Sequence, residues 1–259
     1  MIGTSNYSLG SLENTMTPDE LNKWLKWVHI TSIPLKRLGP GGSPIGIASG
    51  CLVNYQGRRF ILTVAHAVSL GSSDWVIELG NDEERGAEFY QGVRFIYPGE
   101  MNRRTGEIAD VDYTFAEVPI DLESTFQHLI PFGPKSEKQR RHVFDLATVG
   151  EPNANEIYAF SGEIHPEMHA SVGLVTEPTV YPGLLYIKNG SPFYQFRLPV
   201  PHPGDDFFRG CSGAPIVDTN RRLVALVSSG SKPENVIYGI ALSRYRFALD
   251  FYCNKIRPA

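Results

Sequence analysis

A serine flanked by glycines lies in the run Gly210-Cys211-Ser212-Gly213-Ala214-Pro215, directly before the apolar stretch Ala214 to Val217. A seryl hydroxyl is a weak nucleophile until a neighbouring base takes its proton. Glycine on both sides lets the backbone N–H groups of Gly210 and Ser212 turn toward one point, the arrangement an oxyanion hole requires. A base of suitable type stands far upstream. Ile45 to Asn54, the turn Tyr55 to Arg58 and the run Phe60-Ile-Leu-Thr-Val-Ala-His66 read as a hairpin that delivers an imidazole at the end of its second strand. The third group needed is an acid that fixes the tautomer of that base. Asp112 opens the alternating run Tyr113-Thr-Phe-Ala-Glu-Val118 and lies between the other two, 100 residues before Ser212. Asp110 is its rival, because Asp110-Val-Asp112 offers two carboxylates on one face of an extended chain. Asp112 is preferred since the strand pattern starts immediately after it. Together these groups predict hydrolysis of an amide through an acyl-enzyme.

Leu62-Thr-Val-Ala-His66, preceded by Ser49-Gly-Cys-Leu-Val53, resembles the histidine strand pair of the chymotrypsin and trypsin-like serine proteases. Gly210 to Pro215 resembles their nucleophile loop, and the run after Asp112 their acid strand, in the family's chain order. The resemblance implies a His66, Asp112, Ser212 triad, an oxyanion hole from the amides of Gly210 and Ser212, and no cofactor or metal. It further implies that the strand Leu223 to Gly230 pairs with an extended substrate, which makes Ser228, Ser229 and Gly230 expected substrate contacts. Asp206, six residues before Ser212, falls near the place where the trypsin branch holds the carboxylate that receives arginine or lysine, although Phe207-Phe208-Arg209 intervene.

One departure concerns control. Digestive members carry an aspartate directly before the nucleophile to receive a newly cut N-terminus, and Cys211 stands there, so activation by that route is not expected. Cys211 is also a rival nucleophile, since a thiolate attacks more readily than an alcohol, but the loop register puts Ser212 between the glycines. His165-Pro-Glu-Met-His169 has the spacing of a helical zinc pair; Pro166 and the surrounding strand pattern argue for a surface role instead. The paired arginines at 58–59, 103–104, 140–141 and 221–222 are expected on solvated turns, with Arg140-Arg141 a site of self-cleavage if the enzyme prefers basic residues. A second class of reading is a silent protease-fold protein that binds peptides along Val227 to Gly230.

The elements that must hold these groups follow from pattern. Thr17 caps a helix with Pro18 at its first position and Leu21, Trp24, Leu25 and Val28 on one face. After the break Gly39 to Pro44, short β-branched and aromatic runs continue almost to the end, and Asp121 to Arg141 reads as a polar linker between two lobes. Ser243 is placed to cap a closing helix whose Phe247, Ala248 and Phe251 are expected against the body. The fold expected is mostly β, with two six-stranded antiparallel β-barrels, an N-terminal helical extension (1–42), a first barrel (43–130) and a second barrel with a short C-terminal helix (131–259).

With net charge -4 and pI about 6.0, the chain lacks the basic footprint that nucleic acid requires. Three cysteines, widely spaced, do not suggest a disulfide framework. No signal-like leader or apolar run of membrane length is seen, so a cytoplasmic protein acting on a protein or peptide substrate is expected, without membrane contact and with a regulatory partner as one use of the N-terminal helix.

Overall fold

Thr17 starts helix α1 (Pro18–His29) with a capping box: its hydroxyl accepts the Glu20 amide, and the Glu20 carboxylate accepts the Thr17 amide at 2.8 Å. The computed structural model describes residues 16–69, 74–82, 86–101, 104–127, 137–169, 173–204 and 206–255. After α1 come β1 (Ile33–Leu38), β2 (Pro44–Tyr55), β3 (Arg58–Thr63), α2 (Ala65–Val68), β4 (Trp75–Asp82), β5 (Gly86–Tyr90), β6 (Gly99–Met101), β7 (Ile108–Asp110), β8 (Thr114–Val118), β9 (Thr125–Phe126), β10 (Gln139–Arg140) and β11 (Val143–Asp145). The second half holds β12 (Ile157–His169), β13 (Gly173–Gly190), β14 (Phe193–Arg197), β15 (Pro215–Asp218), β16 (Leu223–Ser231), β17 (Val236–Ala241) and α3 (Leu242–Lys255).

The second lobe is a closed barrel in the order β12-β13-β14-β17-β16-β15. Its interior is filled by Tyr158, Phe160, Tyr181, Phe196, Val227 and Ile237 among others from these strands, together with Phe208 from the 3-10 turn Asp206–Phe208. From Gly173 to Gly190 the chain forms one long β13. Its Pro178 and Pro182 fall where β13 pairs only with β12, so no neighbour asks for their missing N–H. The first lobe is a seven-stranded sheet in the order β5-β4-β1-β2-β3-β8, with β11 beside β2, and its pairing path is open among the described residues. Its apolar face, including Ile33, Leu35, Leu52, Ile61, Trp75 and Ile77, forms a core of its own.

Two strands fall outside their expected segments. Ile33–Leu38 lies in the stretch expected as an extension, yet it is the central strand between β2 and β4. Lys36 hides its alternation: the side chain is buried because its ammonium meets Glu163 of β12, with Glu78 of β4 at 3.7 Å. Val143–Asp145, expected in the second barrel, runs parallel to β2 of the first sheet.

Each terminal helix crosses to the other lobe. On α1, Leu21, Trp24, Trp27 and Val28 are buried in the core between the lobes, and the Trp24 indole N–H donates to the Asp218 carbonyl of β15 at 3.0 Å. On α3, Tyr245 stacks on Tyr113, the Tyr252 hydroxyl donates to Glu117 of β8 at 3.0 Å, and Asp250 accepts from the Tyr55 hydroxyl. The expected burial of Phe247 and Phe251 is wrong: they are 50% and 66% exposed. The helix instead buries Leu242, Tyr245, Ala248 and Leu249, the stripe that faces the lobes.

The arginine pairs are not simply solvated tips. Arg58 forks onto Glu117 with two bonds of 2.7 Å, and Arg222 holds Asp218 at 2.7 Å and Glu156 at 2.8 Å. Arg140 is exposed and pairs with Glu123 in a short β10-β9 ladder, while Arg141 donates to the Ser32 carbonyl and its guanidinium is sunk into the protein. A paired and partly buried segment is a poor protease substrate, so the 140–141 bond loses its appeal as a self-cleavage site. Arg103, the centre of the linker (128–136), Asp205 and the side chains of His165 and His169 lie outside the described residues.

Candidate active site

His66 stands on the single turn α2, immediately after strand β3 ends. Asp112 lies between β7 and β8, and Ser212 between the barrel's β14 and β15. The fold brings these three side chains together across the lobe boundary. His66 Nδ1 lies 2.9 and 3.0 Å from the two Asp112 carboxylate oxygens, and its Nε2 lies 3.1 Å from Ser212 Oγ. With Nδ1 facing a carboxylate, the proton of the neutral ring sits there, and Nε2 is left to accept the Ser212 hydroxyl. That is the protonation pattern a general base needs toward its nucleophile. The rival Asp110 is exposed on β7 and pairs its backbone with Gly99.

Asp112 accepts two further bonds, from the His66 amide at 3.0 Å and from the Ser228 hydroxyl at 2.6 Å. Burial pushes its carboxyl up, but the bonds from His66 and Ser228 outweigh burial and hold it below the ordinary carboxylate range. The carboxylate therefore stays ionised beside the imidazole. The Ser228 side chain is buried and turned to Asp112, so its expected role as a substrate contact does not extend to its hydroxyl. Nothing in a serine within an apolar strand signals such a bond in advance. Ser229 is exposed, Gly230 is half-buried, and at these two positions β16 pairs with β17 on one side, its pairing with β15 having ended at Leu226.

The nucleophile loop is pinned from both lobes. Ser49 of β2 donates its hydroxyl to the Gly210 carbonyl and its amide to the Ser212 carbonyl, both at 2.8 Å, while the Ser49 carbonyl accepts the Thr63 hydroxyl at 2.6 Å. On the barrel side the Gly213 amide donates to Val227 at 2.7 Å and the Cys211 amide to Phe208 at 2.8 Å. Gly213 has φ +88°, and a methyl group there would overlap the Ser49 carbonyl and the Thr63 hydroxyl, so no other residue fits. Gly210 is bridged in antiparallel fashion to Glu163 of β12, and among the described residues the Ser212 amide donates to no backbone carbonyl.

Cys211 is fully buried against Gly162, with Sγ 3.7 Å from the Glu163 carbonyl. Burial, with the Glu163 charge, pushes its thiol up, away from the thiolate. It faces away from the imidazole that Ser212 meets. Asp206 opens a one-turn 3-10 helix with an exposed side chain, not a carboxylate sunk in a pocket. Among the described residues no cluster of His, Cys, Asp and Glu suits a metal ion, and no helix is long and apolar enough to cross a membrane.

No protein-family model matches the chain, and no curated protein matches its sequence. Solved structures do match. A serine endoprotease from Yersinia pestis is similar over 93% of this chain and 69% of its own, with 12% identity and a TM-score of 0.50. Human heparin binding protein is similar over 90% of this chain and 95% of its own, with 13% identity and a TM-score of 0.54. At such identity the likeness is one of fold: the chain has the chymotrypsin-like fold of serine proteases, as the expected architecture required.

Proposed function

We propose that this chain is a serine endopeptidase, on the strength of one observation: the continuous chain of hydrogen bonds from Ser212 through His66 to Asp112. In the first half-reaction Ser212 Oγ attacks the substrate carbonyl carbon while His66 Nε2 takes the hydroxyl proton. The imidazolium so formed is held by Asp112. The oxyanion is met by the amides of Gly210 and Ser212, and the proton passes from Nε2 to the leaving amine as the C–N bond breaks. Water then attacks the acyl-serine with His66 again as base, releasing the acid and restoring Ser212. The substrate chain adds to the free edge of β16 at Ser229 and Gly230, by strand pairing.

A protein or peptide is thus the partner this reading requires. The apolar face of α1 is already covered by the lobes, so the reading assigns no partner to it. A basic preference set by Asp206 is not part of it, because that carboxylate is exposed. Human heparin binding protein, to which the chain is similar in fold, is named for binding. The assembled base and nucleophile favour catalysis here.

Treatment with a diphenyl phosphonate tests the proposal. The Ser212 Oγ–P bond forms, phenoxide leaves, and the hydroxyl proton moves to it through His66. The expected result is one adduct on Ser212, lost in Ser212→Ala and in His66→Ala and kept in Cys211→Ala; folded protein that takes no adduct overturns the reading.

A further inference from the structure

Under the endopeptidase reading, a substrate paired along β16 at Ser229 and Gly230 sets its side chains against that strand end and the segment 206–210 that leads into the nucleophile loop. Between them lies His202. Its side chain is held in a short stretch bracketed by Pro201 and Pro203, whose fixed φ angles stiffen the backbone. The His202 amide donates to the Asn235 side-chain oxygen at 2.8 Å, and Nδ1 accepts the Gly204 amide at 3.1 Å. The ring meets Phe208 edge-on, with centroids 5.2 Å apart. Phe208 is in turn joined to the nucleophile loop through its carbonyl, which accepts the Cys211 amide.

The far edge of the imidazole presses on β16. A methyl group built on Gly230 would overlap Nε2 of His202, so the ring occupies the space into which a side chain at that strand position would point. His202 is only 4% exposed, and its Nε2 is buried, so the ring serves as packing rather than as a ligand offered to solvent. Phe208 belongs with Val227 and Ile237 to the buried apolar core of the barrel. Ser228, two residues before Gly230 on the same strand, is bonded to Asp112.

We propose that His202, wedged between Phe208 and Gly230, closes the pocket beside Ser212 and restricts the residue before the cut bond to small uncharged side chains. This inference rests on the endopeptidase reading. A long basic or aromatic side chain would have to displace a ring held by Gly204, Phe208 and two prolines. A methyl or short branched side chain need not.

The test uses diphenyl phosphonates that carry alanine-, valine-, phenylalanine- or lysine-like side chains, with labelling rates at Ser212 read by mass spectrometry. Wild type is expected to react fastest with the alanine or valine probe. His202→Ala should raise the phenylalanine-to-alanine rate ratio by about tenfold or more, the discrimination that pocket volume commonly carries. His202→Asn is the second variant, since its side-chain oxygen can still accept the Gly204 amide while the edge against Gly230 is removed. It should shift the ratio in the same direction even if the alanine variant does not fold. Equal wild-type rates with all four probes, or a ratio unchanged in a folded variant that still labels at Ser212, overturn the assignment of His202 alone. Labelling by no probe in wild type overturns the endopeptidase reading and this inference with it.

Discussion

Ser228 donates a bond of 2.6 Å to Asp112, and that bond is one of those that keep the carboxyl low against the push of burial. In Ser228→Ala the carboxyl should rise. The carboxylate stays ionised at neutral pH but is less firmly oriented toward His66, so phosphonate labelling should slow about tenfold, or roughly 1.4 kcal/mol. Asp112→Asn should cost more, about 10³ to 10⁴-fold, since an amide can stabilise the wrong tautomer of His66. The sign for stability follows from the same depression. A carboxyl lowered in the folded state adds stability that is present above its unfolded pKa of about 3.9 and is lost as pH falls through the folded value. Urea midpoints of Asp112→Asn should therefore differ from wild type above pH 4 and converge with it in stronger acid. At this scale the sequence was informative where chemistry and backbone constraint coincide. Ser212 lies between glycines, His66 at a strand end and Asp112 at a strand start. Ser228 and His202 were silent, because a serine in an apolar run and a histidine between prolines carry no pattern that names their partners.

Among the elements, β1 shows how a buried charge conceals a strand. Lys36 breaks the alternation of Ile33 to Leu38, and it is tolerable inside because Glu163, itself accepting the Thr176 hydroxyl at 2.6 Å, reaches across from the barrel. Lys36→Met should leave the carboxylates of Glu78 and Glu163 with only Arg141 as a nearby cation and cost about 3–5 kcal/mol of stability. Adding Glu163→Gln should recover part of that loss, as urea denaturation would show; equal stability of single variant and wild type would contradict the buried-pair account. Burial and the neighbouring Glu163 push the Glu78 carboxyl up in spite of Lys36 and Arg141. A raised carboxyl favours folding below its unfolded pKa, and that contribution is lost as pH rises through the folded value. Glu78→Gln should accordingly flatten the decline of stability above the ordinary carboxylate range. Other elements were read closely from sequence. The capped α1 begins at Pro18, and β15 and β16 match the runs Ala214 to Val217 and Leu223 to Gly230 to within a residue, since glycine, proline and β-branched residues mark both their ends and their interiors. The hairpin β6-β7 was missed because Gly99–Met101 and Ile108–Asp110 are too short and exposed to show a period.

Over the whole molecule, the lobes are held by helices that each belong in sequence to one lobe and pack on the other. The inter-lobe core contains Trp24, Trp27, Tyr113, Val217, Leu223 and Tyr245, drawn from both halves of the chain. Trp24 is 1% exposed there. Trp24→Ala should cost about 3–5 kcal/mol. If the lobes share one core, the loss should appear as a single transition shifted in urea when fluorescence and circular dichroism are compared; separate transitions would show the lobes to be independent. The same crossing has a consequence during synthesis. The carbonyl that receives the Trp24 indole belongs to a residue 194 positions later. At about 5–20 residues per second, the tryptophan face of α1 waits on the order of 10 to 40 s for the surface it covers to leave the ribosome. Until then the nascent chain carries a sticky amphipathic helix, a natural target for a holding chaperone, and the first of the described helices is among the last to be buried.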